Sequence, residues 1–99
     1  MWYVILCKDK TNSLQKRLGG RKAHRERLTN LQNEGRLFVA GPFPSVDSIE
    51  PADAGYTGSM IVAEFNSLKD AKEWANKDPY VISGVYESVE VKPFVKVLP

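Results

Sequence analysis

Apolar positions in this chain alternate between two rhythms, continuous or every-second-residue runs and stripes three or four residues apart. WYVILC, residues 2–7, is an unbroken apolar run of strand formers, which predicts a strand buried on both faces. Ser13 then offers an N-cap for a helical region reaching to about Gly35, whose glycine suits a C-terminal cap. Leu14 and Leu18 lie four apart, and His24, Leu28 and Leu31 continue as a second stripe. Gly19-Gly20 between them predicts a break or kink into a short helix and a longer one. LFVAGPF, residues 37–43, reads as a second strand that Gly41-Pro42 interrupts or confines to an edge. PSVDSIEPADAGYTG is a long polar loop carrying Asp47, Glu50 and Asp53, of a length that is either functional or mobile.

SMIVAEF, residues 59–65, predicts a third strand. Ser67 followed by Asp70 predicts a capped second helix with Leu68, Ala71, Trp74 and Ala75 on its buried stripe. The last strand alternates, with Val89, Val91, Val95 and Val97 on one face and Glu90, Lys92, Phe94 and Lys96 on the other. Between this helix and strand lies KDPYVISGVY, too apolar for a plain connector. Its Asp-Pro is a helix-start signature, with Asp78 as N-cap and Pro79 at the first helical position, and predicts one turn that tucks Tyr80 and Val81 inward.

The element order is β-α-β-β-α-β, an α+β, ferredoxin-like arrangement with a four-stranded antiparallel sheet and both helices on one face. The first and third strands are apolar on both sides, yet helices cover only one. A sheet with two apolar faces needs a second sheet, so the pattern predicts a homodimer packed through its sheet faces. Size changes little in this picture: 99 residues are one domain, 1–99. The formal charge of +2 is too small to imply a nucleic-acid or membrane partner. No apolar run approaches the ~20 residues of a membrane span, and WYVILC is too short for a signal segment. One cysteine, Cys7, cannot form an internal disulfide, which fits a reducing compartment and a cytoplasmic location.

Candidate chemistry centres on His24, the only histidine. On an inward stripe it is either a hydrogen-bonded structural imidazole or a general acid/base, since imidazole titrates near neutrality. A histidine in the second role wants an acceptor on its other nitrogen, and Asp78 is the candidate. A carboxylate can cap a helix and accept from a histidine at once. Arg21, three residues before His24, is placed to hold an anion beside it. The other cations of this region, Lys16, Arg17, Lys22, Arg25 and Arg27, read as a solvated helix face. One histidine and one distant cysteine make no metal-ligand spacing, and Cys7, mid-strand among apolar residues, is expected to be inert. Gly19-Gly20 before a basic helix lacks the remaining residues of a phosphate loop. RNA-recognition domains share the topology, but GSMIVAEF has one aromatic and no basic-Gly-aromatic start, and a dimer would bury the surface they use.

WYVILCKDK, the R-x-x-H of Arg21 and His24, AGPFP at 40–44, AGYTGS at 54–59 and WANKDPYVISGVYESVEVKPFVKV together resemble the YciI-like family, that of the YCII-related domain. The similarity runs almost the full length, and its final block is the most specific part. The resemblance implies a ferredoxin-like protomer in a dimeric α/β barrel, with a His–Asp pair in a pocket between helix and sheet that falls on His24 and Asp78. Similar folds serve muconolactone isomerase, polyketide cyclases and cofactor-free monooxygenases, and a YciI-like chlorohydroxyquinol dehydrochlorinase offers a precedent for chemistry. The expectation is a small-molecule enzyme doing lyase- or isomerase-like acid/base chemistry on an anionic or aromatic ligand, without metal or organic cofactor. His24 and Asp78 are its expected catalytic residues. Arg21 or backbone donors near Gly41 would stabilise an oxyanion, with Ser59 and Tyr80 lining the pocket. The alternatives are a non-catalytic ligand-binding or regulatory module and a purely structural dimer.

Overall fold

Strand β1 (Trp2–Asp9) sets the plan of the molecule because its side chains divide cleanly between two environments. Tyr3, Ile5, Cys7 and Asp9 are buried, while Trp2, Val4 and Leu6 are half-covered. The computed structural model describes residues 1–99. After β1 come α1 (Leu14–Asn33), β2 (Leu37–Pro44), β3 (Tyr56–Glu64), α2 (Leu68–Asn76), the one-turn α3 (Pro79–Ile82) and β4 (Tyr86–Phe94). The sheet order is β2-β3-β1-β4, with every pairing antiparallel. Ile5 stands opposite Ile61 on one side and Val91 on the other, and these inward residues meet the helices. The core joins Tyr3, Ile5, Cys7, Ile61 and Ala63 to Leu31 of α1, Ala71 and Ala75 of α2, and Tyr80 of α3. Residue pairs of the other parity, Leu6 with Met60 and Trp2 with Phe94, share a face on which this chain packs no helix.

The expected topology holds, with β2 on an edge as Gly41-Pro42 requires. Several details differ. The helix does not break at Gly19-Gly20: α1 runs unbroken for 20 residues. Two glycines cost about 1 kcal/mol each relative to alanine, a loss that packing of the buried face offsets. Gly20 is also where the helix meets Tyr80, since a Cβ there would lie 3.2 Å from two atoms of that ring. Ser13 precedes the helix but its side chain makes no capping bond, whereas Ser67 Oγ accepts from the Asp70 amide at 3.1 Å. Gly35, at φ +72°, ends α1 as expected. Its N–H donates to Gln32 O, and that of Arg36 donates to Leu31 O.

β3 begins at Tyr56 rather than Ser59, because Tyr56 and Gly58 find partners in Pro44 and Phe43. This shortens the polar loop, which is closed at its base by Ser45 N–H to Gly55 O and Ser45 Oγ to Ala54 O. β4 ends at Phe94, not Val97. Its neighbour β1 starts at Trp2, which pairs with Phe94, so later residues have no strand to bond, and Val95 and Val97 are exposed.

Candidate active site

Helix α1 buries three residues, Arg17, His24 and Leu31. They are seven apart, two helical turns, and therefore lie in one line along the face turned to the sheet. Two of the three carry charge or can carry it, so the line is a polar seam set into an apolar core. A buried polar group needs a partner, and each has a carboxylate.

Asp78, 2% exposed, caps α3 by accepting from the Tyr80 amide at 2.9 Å. Its two oxygens also lie 2.9 Å each from His24 Nδ1. An ionised carboxylate only accepts, so Nδ1 carries the proton and donates. In the neutral ring that leaves Nε2 as the unprotonated nitrogen, and Nε2 has no partner within the chain. The His24 ring stacks on Tyr80, centroids 4.1 Å apart and planes 15° from parallel. Pro79 and the cap thus hold Asp78 and Tyr80 in one short turn, and both of them constrain one imidazole.

Behind Asp78 stands Arg27, its guanidinium 4.2 Å from the centre of the Trp74 ring. Nη2 donates to Trp74 O at 2.8 Å, while Nη1 is buried without a hydrogen bond, 3.9 Å from Asp78 Oδ2. Burial lowers the Arg27 pKa, and the Asp78 charge opposes that shift.

At the other end of the seam, Arg17 Nε donates to Asp9 Oδ2 at 2.9 Å and Nη2 to Asp9 Oδ1 at 3.2 Å. Nη2 donates further to Gly58 O at 3.1 Å and to Ser59 Oγ at 2.7 Å. Burial works against the Arg17 cation, but the hydrogen bond and charge of Asp9 outweigh it, and the net shift is upward. The guanidinium carbon also sits about 5 Å from the rings of Tyr56 and Tyr80.

Arg17, Arg21, His24, Gly41, Ser59 and Tyr80 all line one cleft of about 150 Å³ between α1 and the β2–β3 side of the sheet. Arg25, Tyr56, Pro42 and Ile61 complete much of its wall. The structure therefore gathers His24, Arg21, Gly41, Ser59 and Tyr80 in one place, with Asp78 bonded to His24 from outside the lining. Two expectations need correction. Arg17 does not belong to a solvated face: it is 7% exposed and ion-paired. Nor does Arg27, whose side chain is 22% exposed and lies on the Trp74 ring; Ser59, in the lining, has its oxygen already accepting from Arg17. Arg17 was legible in two signals: its seven-residue spacing from His24 and Leu31, and the parity that places Asp9 inward after Tyr3, Ile5 and Cys7.

Cys7 lies on the same inward row, and burial pushes its thiol up to about 12. No three His, Cys, Asp or Glu side chains converge as metal ligands would. No helix is long and apolar enough to cross a membrane.

The YCII-related domain matches residues 1–95. This chain belongs to that family. Protein YciI of Escherichia coli O6:H1 is 59% identical over 98% of this chain and 99% of its own length. An uncharacterized protein of Haemophilus influenzae is 53% identical over the same shares. Among solved structures, the YCII fold here resembles 5-chloro-2-hydroxyhydroquinone dehydrochlorinase (TftG) of Burkholderia phenoliruptrix AC1100, in complex with 2,5-dihydroxybenzoquinone. The TM-score is 0.83 at 26% identity, covering 96% of this chain and 94% of the other.

Proposed function

We propose that this YCII protein is a cofactor-free acid–base enzyme acting on a small ring-sized molecule rich in oxygen, in a lyase- or isomerase-like reaction. The observation that carries the reading is the His24–Asp78 pair. Nδ1 donates to the carboxylate, so Nε2 is left as a base in the lining of the cleft. In this role Nε2 takes a proton from an acidic O–H or C–H. The imidazolium that forms, stabilised by Asp78, returns it to another atom or to a leaving group. The cleft volume supports a single ring, since a cavity of about 150 Å³ admits benzene. Exposed Arg21 and Arg25 at its wall favour an anion. TftG supplies a chemical analogy, a dehydrochlorinase with a hydroxylated quinone bound.

The decisive assay is turnover of chlorinated and hydroxylated hydroquinones, read by halide release and absorbance. His24→Gln is expected to reduce the rate by about 10²–10⁴, the usual worth of a positioned acid–base group. A His24→Gln protein as active as wild type sinks the reading. Absence of turnover with binding unchanged in His24→Ala supports a ligand-binding module instead.

We further propose that two copies pack sheet to sheet. The open face carries Trp2, Val4, Leu6 and Met60, with Phe38 edge-on to Trp2 at 5.5 Å and Phe43 and Phe94 well exposed. An apolar face of this kind is costly in water. Sedimentation as a monomer at micromolar concentration overturns the dimer. The single buried thiol, Cys7, fits a reducing compartment, which favours the cytoplasm.

A further inference from the structure

Arg17 is more firmly held than a structural ion pair requires, and only on one side. Nε and Nη2 make four hydrogen bonds, to Asp9, Gly58 and Ser59, while Nη1 makes none. Nor is Nη1 sealed off, since the buried side-chain polar atoms lacking a partner are Arg27 Nη1 and Tyr86 Oη. The Tyr80 side chain is almost wholly buried; its hydroxyl makes no close hydrogen bond, and it lies within interacting reach of the Arg17 guanidinium. Both residues line the cleft that His24 lines. The Tyr80 ring centre is 4.1 Å from the His24 ring centre and 5.0 Å from Arg17 Cζ. The Tyr80 ring thus lies against both the imidazole and the guanidinium, so the three groups meet in one part of the cleft.

Donors fixed in place before charge develops cost no reorganisation when it does, which is why such groups stabilise anionic transition states. Arg21 is less suited to this. It is exposed and makes no hydrogen bond that aims it. Asp9 cancels much of the Arg17 charge at a distance, so Arg17 acts through directed N–H groups. The positive field of the cleft comes from Arg21 and Arg25. Burial raises the Tyr80 pKa, with Arg17 opposing, and so keeps that hydroxyl protonated and able to donate near neutrality.

We propose that Arg17 Nη1 and the Tyr80 hydroxyl form an oxyanion seat that holds the charged oxygen of an enolate, phenolate or carboxylate in the cleft that His24 lines. The seat rests on reading the cleft as an acid–base site, but its binding half is testable without turnover. The probe is formate, titrated into the whole protein while ¹⁵N–¹H signals of the Arg17 side chain and the His24 ring are followed. Arg17 Nη signals are expected to shift saturably. Affinity is expected to fall about tenfold in Arg17→Lys, which keeps a cation for Asp9, and severalfold in Tyr80→Phe, which removes only the hydroxyl. Arg21→Gln is expected to change it less than about threefold.

Absence of a saturable Arg17 response in the wild type overturns the seat, as does equal weakening by Arg21→Gln and Tyr80→Phe. Neither result depends on whether Arg17→Lys folds. Failure of the acid–base reading appears elsewhere, as turnover that survives His24→Gln while formate binding stays as it was.

Discussion

The two ends of the polar seam on α1 use similar parts differently. At one end a single cation, Arg17, takes both oxygens of Asp9, eight residues away, and closes the β1–α1 unit on itself. At the other, Asp78 is shared between the Tyr80 amide, the His24 ring 54 residues away and, at longer range, Arg27. The first carboxylate is saturated by one partner, which makes it an anchor. The second is shared among three partners, which constrain an imidazole on one nitrogen and leave the other without a partner in the chain. The difference lies in the base: a guanidinium has only donors, whereas a neutral imidazole keeps one nitrogen as an acceptor.

The largest effect that tests this contrast is expected at the anchor. Asp9→Leu leaves Arg17 buried without its carboxylate and should cost about 3–5 kcal/mol, while Asp9→Leu with Arg17→Met should recover most of that loss. Urea denaturation of both proteins measures it. A single-variant cost below about 1 kcal/mol would mean that the pair is solvated and the anchor illusory.

A smaller effect is expected at Asp78. Asp78→Ala removes the α3 cap and the His24 partner together, for about 2 kcal/mol. Asp78→Asn keeps an acceptor oxygen for the Tyr80 amide and should lose roughly half as much stability. Equal losses in thermal melts would show that the cap carries none of the stability and the histidine contact all of it.

The smallest effect separates two adjacent glycines. Gly19 has nothing within 4 Å of an added Cβ, so Gly19→Ala should stabilise the helix by about 0.5–1 kcal/mol. Gly20→Ala brings its Cβ to 3.2 Å from the Tyr80 ring, which is pinned by the His24 stack. It should gain nothing or lose stability. If both alanines stabilise equally, the ring yields easily, and Tyr80 is no rigid wall for either end of the seam.

Much of the architecture can be read along the chain because its causes are local. The apolar run of β1, the Ser67–Asp70 cap, the Asp78-Pro79 helix start and the glycine at 35 each act within a few residues, and each appears where its chemistry places it. Local reading fails where a distant partner decides the outcome. Gly19-Gly20 looks like a breaker until Tyr80 is packed against it. Strand ends at Tyr56 and Phe94 depend on where the neighbouring strand begins or stops. Arg17, among five other cations of its region, is marked only by its spacing from His24 and Leu31, and its burial is decided by a distant carboxylate and carbonyl that wait for it in the core.

By itself, then, the sequence determined the order of elements, the inward stripe holding His24, and the turn that presents Asp78. Those follow from side-chain periodicity and backbone sterics, which act over a few bonds. Tertiary structure alone decided that His24 Nδ1 meets both oxygens of Asp78, that Arg17 leaves the solvent for Asp9, and that these groups share a cleft with Gly41, Ser59 and Tyr80. Hydrogen bonds and close packing fall away within ångströms, and only the folded sheet brings residues 9, 17, 24 and 78 within that range.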